Sequence, residues 1–109
     1  MNKYILDTLK VLDIPVYFVS RDETQLPMVI YNFSEKGWEY ADDKESATLY
    51  KVTVNIFSNG NYLKYKKQII QLMEQAGFTK DNIPTCIYMS EFRIFNQPMV
   101  FNYVEYKKA

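Results

Sequence analysis

Residues 47–57 read "ATLYKVTVNIF", and the alternation in this stretch decides the fold. Tyr50, Val52, Val54 and Ile56 fall on one side of an extended chain, with Lys51, Thr53 and Asn55 on the other. Successive side chains of a strand point to opposite faces, so this is a strand with one face turned to a core. Residues 27–34, "PMVIYNFS", alternate Met28, Ile30 and Asn32 against Val29, Tyr31 and Phe33. Between the two lies "WEYADDKES", residues 38–46, in which Trp38 and Tyr40 lead into Asp42, Asp43 and Glu45. Two strands around a polar connection predict one long antiparallel β-hairpin with this stretch at its tip.

Downstream, "SNGN" breaks the second strand and launches a helix over 61–76. Tyr62, Tyr65, Ile69, Leu72, Met73 and Ala76 share one broad face of that helix, and Lys66 intrudes into the arc, where its long stem can reach back to water. Gly77 stands where a left-handed residue closes a helix. "FTKDNIP" then reads as a linker, followed by strands at 85–89 ("TCIYM") and 98–106 ("PMVFNYVEY"). "SEFRIFNQ" between them is a turn, a bulge or a second hairpin tip. Upstream, Ile5, Leu6, Leu9 and Leu12 fall on one side of a helix over 2–12, with Asn2 as its N-cap. Pro15 stops that helix near Asp13, "PVYFV" forms a short strand, and "SRDETQL" is a polar connection. The order α, β, β, β, α, β, β predicts one α+β domain over residues 1–109. Its sheet is mostly antiparallel, with two helices packed on one face.

Composition narrows the function. Thirteen basic residues balance thirteen acidic ones, so there is no basic field to attract nucleic acid or an anionic membrane surface. No apolar run approaches the roughly 20 residues that span a bilayer, and the N-terminal stretch has no secretory pattern. The single cysteine, Cys86, cannot form an internal disulfide; it suits a reducing cytoplasm and reads as a small buried hydrophobe. Without histidine the chain lacks the commonest general base and metal ligand, and three scattered glycines build no phosphate loop. The expectation is a protein that is no enzyme and holds no cofactor or metal. Asp42, Asp43 and Glu45 have neither the spacing of a calcium loop nor a pocket to shift a carboxylate.

Apolar surface is in excess. The last strand is apolar on both faces, with Met99, Phe101 and Tyr103 on one and Val100, Val104 and Tyr106 on the other. The first long strand repeats this with Met28 and Ile30 against Val29, Tyr31 and Phe33. Either a third layer of the same chain or another subunit covers the second face. Tyr31, Phe33, Trp38, Tyr40, Asp42, Asp43, Val104 and Tyr106 are the candidate interface residues, because tryptophan and tyrosine concentrate at interfaces.

The order of features also resembles a known family. A leading helix precedes "IPVYF", then "LPMVIYNFSE", "YADDK" and "YKVTVNIFS", a lysine-rich helix ending in "QLMEQAGF", and "YMSEFRIFNQPMVFNYVEY". This is similar, over nearly the whole chain, to the small tail-completion (tail-terminator) proteins of long-tailed phages and prophages of Gram-positive bacteria. Met28 departs from the aromatic that the family usually carries after its Leu-Pro pair. The resemblance implies a structural subunit of a ring, commonly six-fold, that caps the tail tube, stops its polymerisation and meets the head-tail connector protein. Its partners would be further copies of itself, the tube protein and the connector, in the bacterial cytoplasm during assembly and then in the virion. Another neck or head-closure component, or a small host domain binding RNA or a peptide, is the alternative.

Overall fold

The structure, a computed structural model, describes residues 1–20, 26–41 and 44–107, with the backbone alone at 39–41 and 44–45. In chain order the elements are α1 (Asn2–Leu9), β1 (Val16–Phe18), β2 (Met28–Ala41), β3 (Lys44–Ser58), α2 (Tyr62–Gln75), β4 (Thr79–Asn82), β5 (Ile87–Met89) and β6 (Ile94–Tyr106). One six-stranded sheet runs β1-β2-β3-β6-β4, and β5 also pairs with β6. Every pair is antiparallel except β1 with β2, so the class is mixed α+β on a mostly antiparallel sheet.

β3 lies at the centre. Tyr31–Val54–Met99 and Phe33–Val52–Phe101 are rows across β2, β3 and β6, and the next row is Val29–Ile56–Gln97. Most of these side chains are buried together with Ile5, Leu9 and Leu12 of the N-terminal segment, Ile69 and Met73 of α2, and Phe78. Gln97 is buried among them and its amide is satisfied, because Nε2 donates to the carbonyls of Pro84 and Pro98, each at 2.8 Å. Beside this core Tyr4 of α1 packs its ring on Phe78 and Tyr103, and its hydroxyl donates to the Ala76 carbonyl.

The chain departs from its sequence pattern in places that share a cause. β2 continues past Ser34 to Ala41 and β3 begins at Lys44, because pairing carries polar residues that alternation alone would not place in a strand. β4, read as part of a linker, is an edge strand exposed at all four positions, held by pairing with Val100–Asn102 and by Asp81 Oδ2 at 3.2 Å from Lys51 Nζ. β6 starts at Ile94 rather than Pro98. Proline is tolerated there because Pro98 falls in the gap on the outer edge, after β5 ends opposite Asn96 and before β4 begins opposite Val100. "SEFR" is thus the turn of a second hairpin, with the Phe92 N–H donating to the Met89 carbonyl at 3.1 Å and Arg93 at φ +55°.

α1 begins at Asn2, with Met1 in the capping position. Asn2 is therefore inside the helix, and its Oδ1 accepts a hydrogen bond from the Tyr31 hydroxyl instead of capping. The helix ends at Leu9, and Leu6, expected on the apolar side, is exposed. Val19 leaves β1 in the left-handed region at φ +67°, costly for a β-branched residue, with its N–H on the Tyr31 carbonyl at 2.9 Å.

The close of α2 follows the sequence. Gly77 takes φ +95°, its N–H donates to Glu74 and that of Phe78 to Met73, both carbonyls of the last turn. A Cβ at Gly77 would stand 3.4 Å from the Tyr103 ring in a conformation that side chains disfavour. Gly77→Ala is expected to lower stability by about 1–2 kcal/mol, read as a shift of the urea midpoint at unchanged slope.

Candidate protein interface

The register also fixes the face opposite the core. Its rows across β2, β3 and β6 are Met28–Phe57–Asn96, Ile30–Asn55–Pro98, Asn32–Thr53–Val100, Ser34–Lys51–Asn102 and Lys36–Leu49–Val104. The middle of this face is polar: Asn96 Nδ2 donates to Asn55 Oδ1 at 3.3 Å, and Lys51 pairs with Asp81. The expected second apolar face is corrected accordingly. β2 and β6 supply apolar residues on it, but Lys51, Thr53 and Asn55 of the central strand divide them into two end patches.

Beyond the row Glu35–Tyr50–Tyr103 the three strands continue as an arm. Gly37 pairs with Thr48 and Glu39 with Ala47, so Trp38 is an additional residue on β2; Tyr40 then pairs with Glu45, which makes Ser46 the additional residue on β3. The two bulges cancel in register while each adds local twist. The Ser46 carbonyl accepts the N–H of Lys107 at 2.9 Å, which ties the bulge to the end of β6. Trp38 is 49% exposed and Tyr106 is 63% exposed, on strands flanking Ala47 and Thr48.

β2 also has an open edge. β1 covers it only opposite Val29–Tyr31, and beyond that no strand pairs with it among the described residues. Backbone groups alternate in direction, so Phe33, Glu35 and Gly37 continue the outward series of Val29 and Tyr31. Phe33 N–H, with no strand beside it, donates to Asn32 Oδ1 at 2.8 Å.

The sequence-derived candidates separate into three groups. Trp38 and Tyr106 are exposed together on the arm, and Val104 lies half-buried beside them opposite Leu49. Phe33 is half-buried nearer the core, with its ring 5.7 Å from Phe18 and 6.2 Å from Tyr50. Tyr31 is a correction: at 1% exposure it belongs to the core, and burial pushes its phenol above the ordinary value. Tyr40 is described by its backbone alone, paired with Glu45, and Asp42 and Asp43 lie outside the described residues.

Sequence reasoning missed other exposed apolar residues. Phe92 sits in the β5–β6 turn at 66% exposure, with Ile87 and Tyr88 exposed beside it. The signal was available: an aromatic in a four-residue turn is out of place unless something else covers it. Leu63 projects from α2 at 58% exposure. Cys86 is half-buried rather than buried, and its hydrogen bond with Tyr62 pushes that phenol up. Among the described residues no group of three or more His, Cys, Asp or Glu could hold a metal ion, and no helix is long and apolar enough to cross a membrane.

Compared with known proteins, the chain matches no family model and no curated protein sequence.

Two measurements check these placements. The unfolded Tyr31 phenol ionises near its usual value of about 10, whereas the folded one keeps its proton to higher pH. Its contribution is therefore intact below that pH and is lost as the pH rises above it. Tyr31→Phe should lower stability by about 1 kcal/mol near neutral pH through its lost hydrogen bond, and should flatten the alkaline fall; an unchanged slope above pH ~10 contradicts the burial. In the single, unassociated chain Trp38, the sole tryptophan, should emit as a solvated indole and be readily quenched by acrylamide. Emission typical of a dry core would contradict its exposure.

Proposed function

We infer that this chain is a structural subunit of a long-tailed phage or prophage virion, a tail-completion protein. Its copies close into a ring on the finished tail tube, stop further addition of tube subunits and offer their other side to the head-tail connector. The observation that carries the reading is that exposed apolar side chains, besides those elsewhere on the surface, stand at both ends of the sheet. Trp38 and Tyr106 lie near one end of β6 and Ile87, Tyr88 and Phe92 near the other. A subunit that must touch one partner above and another below needs sticky surfaces at both ends.

Shape supports the same reading. The molecule measures 53 × 25 × 24 Å with a radius of gyration of 15.4 Å, against about 13 Å for a compact chain of this length. In this reading β2 and β3 act as a single long hairpin whose end is an arm, and both helices pack on one face so that the other stays open to neighbours. A ring forms when one patch meets a different, complementary patch on the next copy and the rotation closes. Capping follows because the subunit matches the tube on one side only.

The open edge of β2 favours a second reading, a domain that captures an extended peptide by adding it as a strand. The two diverge in native mass spectrometry and negative-stain images of the pure protein, alone and with tail tubes. The first reading expects closed rings, formed alone or on tube ends. A chain that stays monomeric and ignores both tube and connector would overturn it.

A further inference from the structure

One flank of α2 carries an exposed stripe at the margin of the core. Ile69 and Met73 point into the core, and on the flank beside them Leu63, Lys66, Lys67 and Ile70, the last packed against the core's margin, follow the i, i+3, i+4, i+7 spacing of a second helix face. Together they line an open depression of about 380 Å³. Leu63 is 58% exposed, Ile70 and Lys66 are half-buried, and the lysine stems add apolar wall beneath their charges. From 62 to 73 the chain has three lysines, at 64, 66 and 67, and no acid.

The arm has the complementary character. By sequence, residues 35–45 contain five acids and two lysines, a net charge of −3 within a neutral chain, and the same stretch holds the exposed Trp38. Tryptophan is the residue most suited to anchoring in a small pocket rimmed by cations. The arm cannot reach this pocket in its own molecule. α2 runs back from the far end of β3, and the Gly77 contact with Tyr103 marks where the arm begins. Leu63 therefore lies about 20 Å of helix away from that point, and β2 and β3 stay paired as they lead away from it into the arm.

We propose that the arm of one copy, with Trp38 as its anchor, docks on the Leu63–Lys66–Lys67–Ile70 stripe of α2 in the next copy. The occupant is a second copy of this chain, chosen by charge complementarity between an acidic arm and a basic helix face that lie apart in one molecule. The contact is heterologous, so it propagates head to tail and makes a ring when the rotation closes. It rests on the ring reading and specifies which two surfaces meet. Salt weakens it, because its charges lie at the rim of the pocket.

The test is a pair of variants followed by native mass spectrometry and light scattering, with far-UV circular dichroism to confirm that each is folded. Trp38→Ala and the double variant Lys66→Glu, Lys67→Glu are each expected to weaken self-association at least tenfold. Mixed together they should give a one-to-one dimer and nothing larger, because one intact arm then meets one intact helix face. Adding Glu35→Lys and Glu39→Lys to the double variant should restore association by exchanging the charges. Variants that assemble like the unaltered chain would overturn the docking contact and leave the ring reading standing. An unaltered chain that stays monomeric alone and on tail tubes would overturn both.

Discussion

Everything in this molecule depends on the register of β3 between β2 and β6. The strand is paired on both sides along most of its length, so its alternation is imposed on two neighbours at once. Val52, Val54 and Ile56 bring Tyr31, Phe33, Met99 and Phe101 to the same face, and α1 and α2 contribute Ile5, Leu9, Ile69 and Met73 to the cluster that forms there. A slip by one residue would turn Lys51, Thr53 and Asn55 into that cluster. Three unpaired polar groups in a dry core make such a slip prohibitive.

That same strand explains what could be read in advance. Residues 47–57 alternate without interruption, so their role and the face they bury were legible, and the stripe of α2 and its glycine close were equally plain. Elements that owe their form to a neighbour were not. β4 has no apolar period because all four of its residues are exposed. The N-terminal half of β6 hides behind Pro98, whose tolerance depends on a gap between two other strands. β1 runs parallel to β2 across a connection of only nine residues, 19–27, and no local signal announces that.

At the candidate interface the sequence did not report burial. Tyr31 and Trp38 are both aromatics in strongly patterned surroundings, yet one lies under α1 and the other stands out at a bulge. The difference is set by where the helices end, which alternation in β2 cannot report. Leu63 escaped because it sits in a core-facing helix whose plain role already accounted for it, whereas Phe92, an aromatic in a turn, carried a readable signal.

The place of β6 after the other described strands of the sheet bears on how the molecule is made. β2 and β3 meet through contacts that begin three residues apart at Ala41 and Lys44, so they can zip from that close pair. β3 and β6 join residues separated by 37 positions at Ser58 and Phe95 and by 59 at Ala47 and Tyr106. Closing such long loops is slow compared with local pairing. During synthesis the second edge of β3 therefore stays open until the last strand has left the ribosome. In that interval α2, already made and packed on β3, is at hand, and the order of emergence makes the helix a temporary guard for the strand on which the sheet is built.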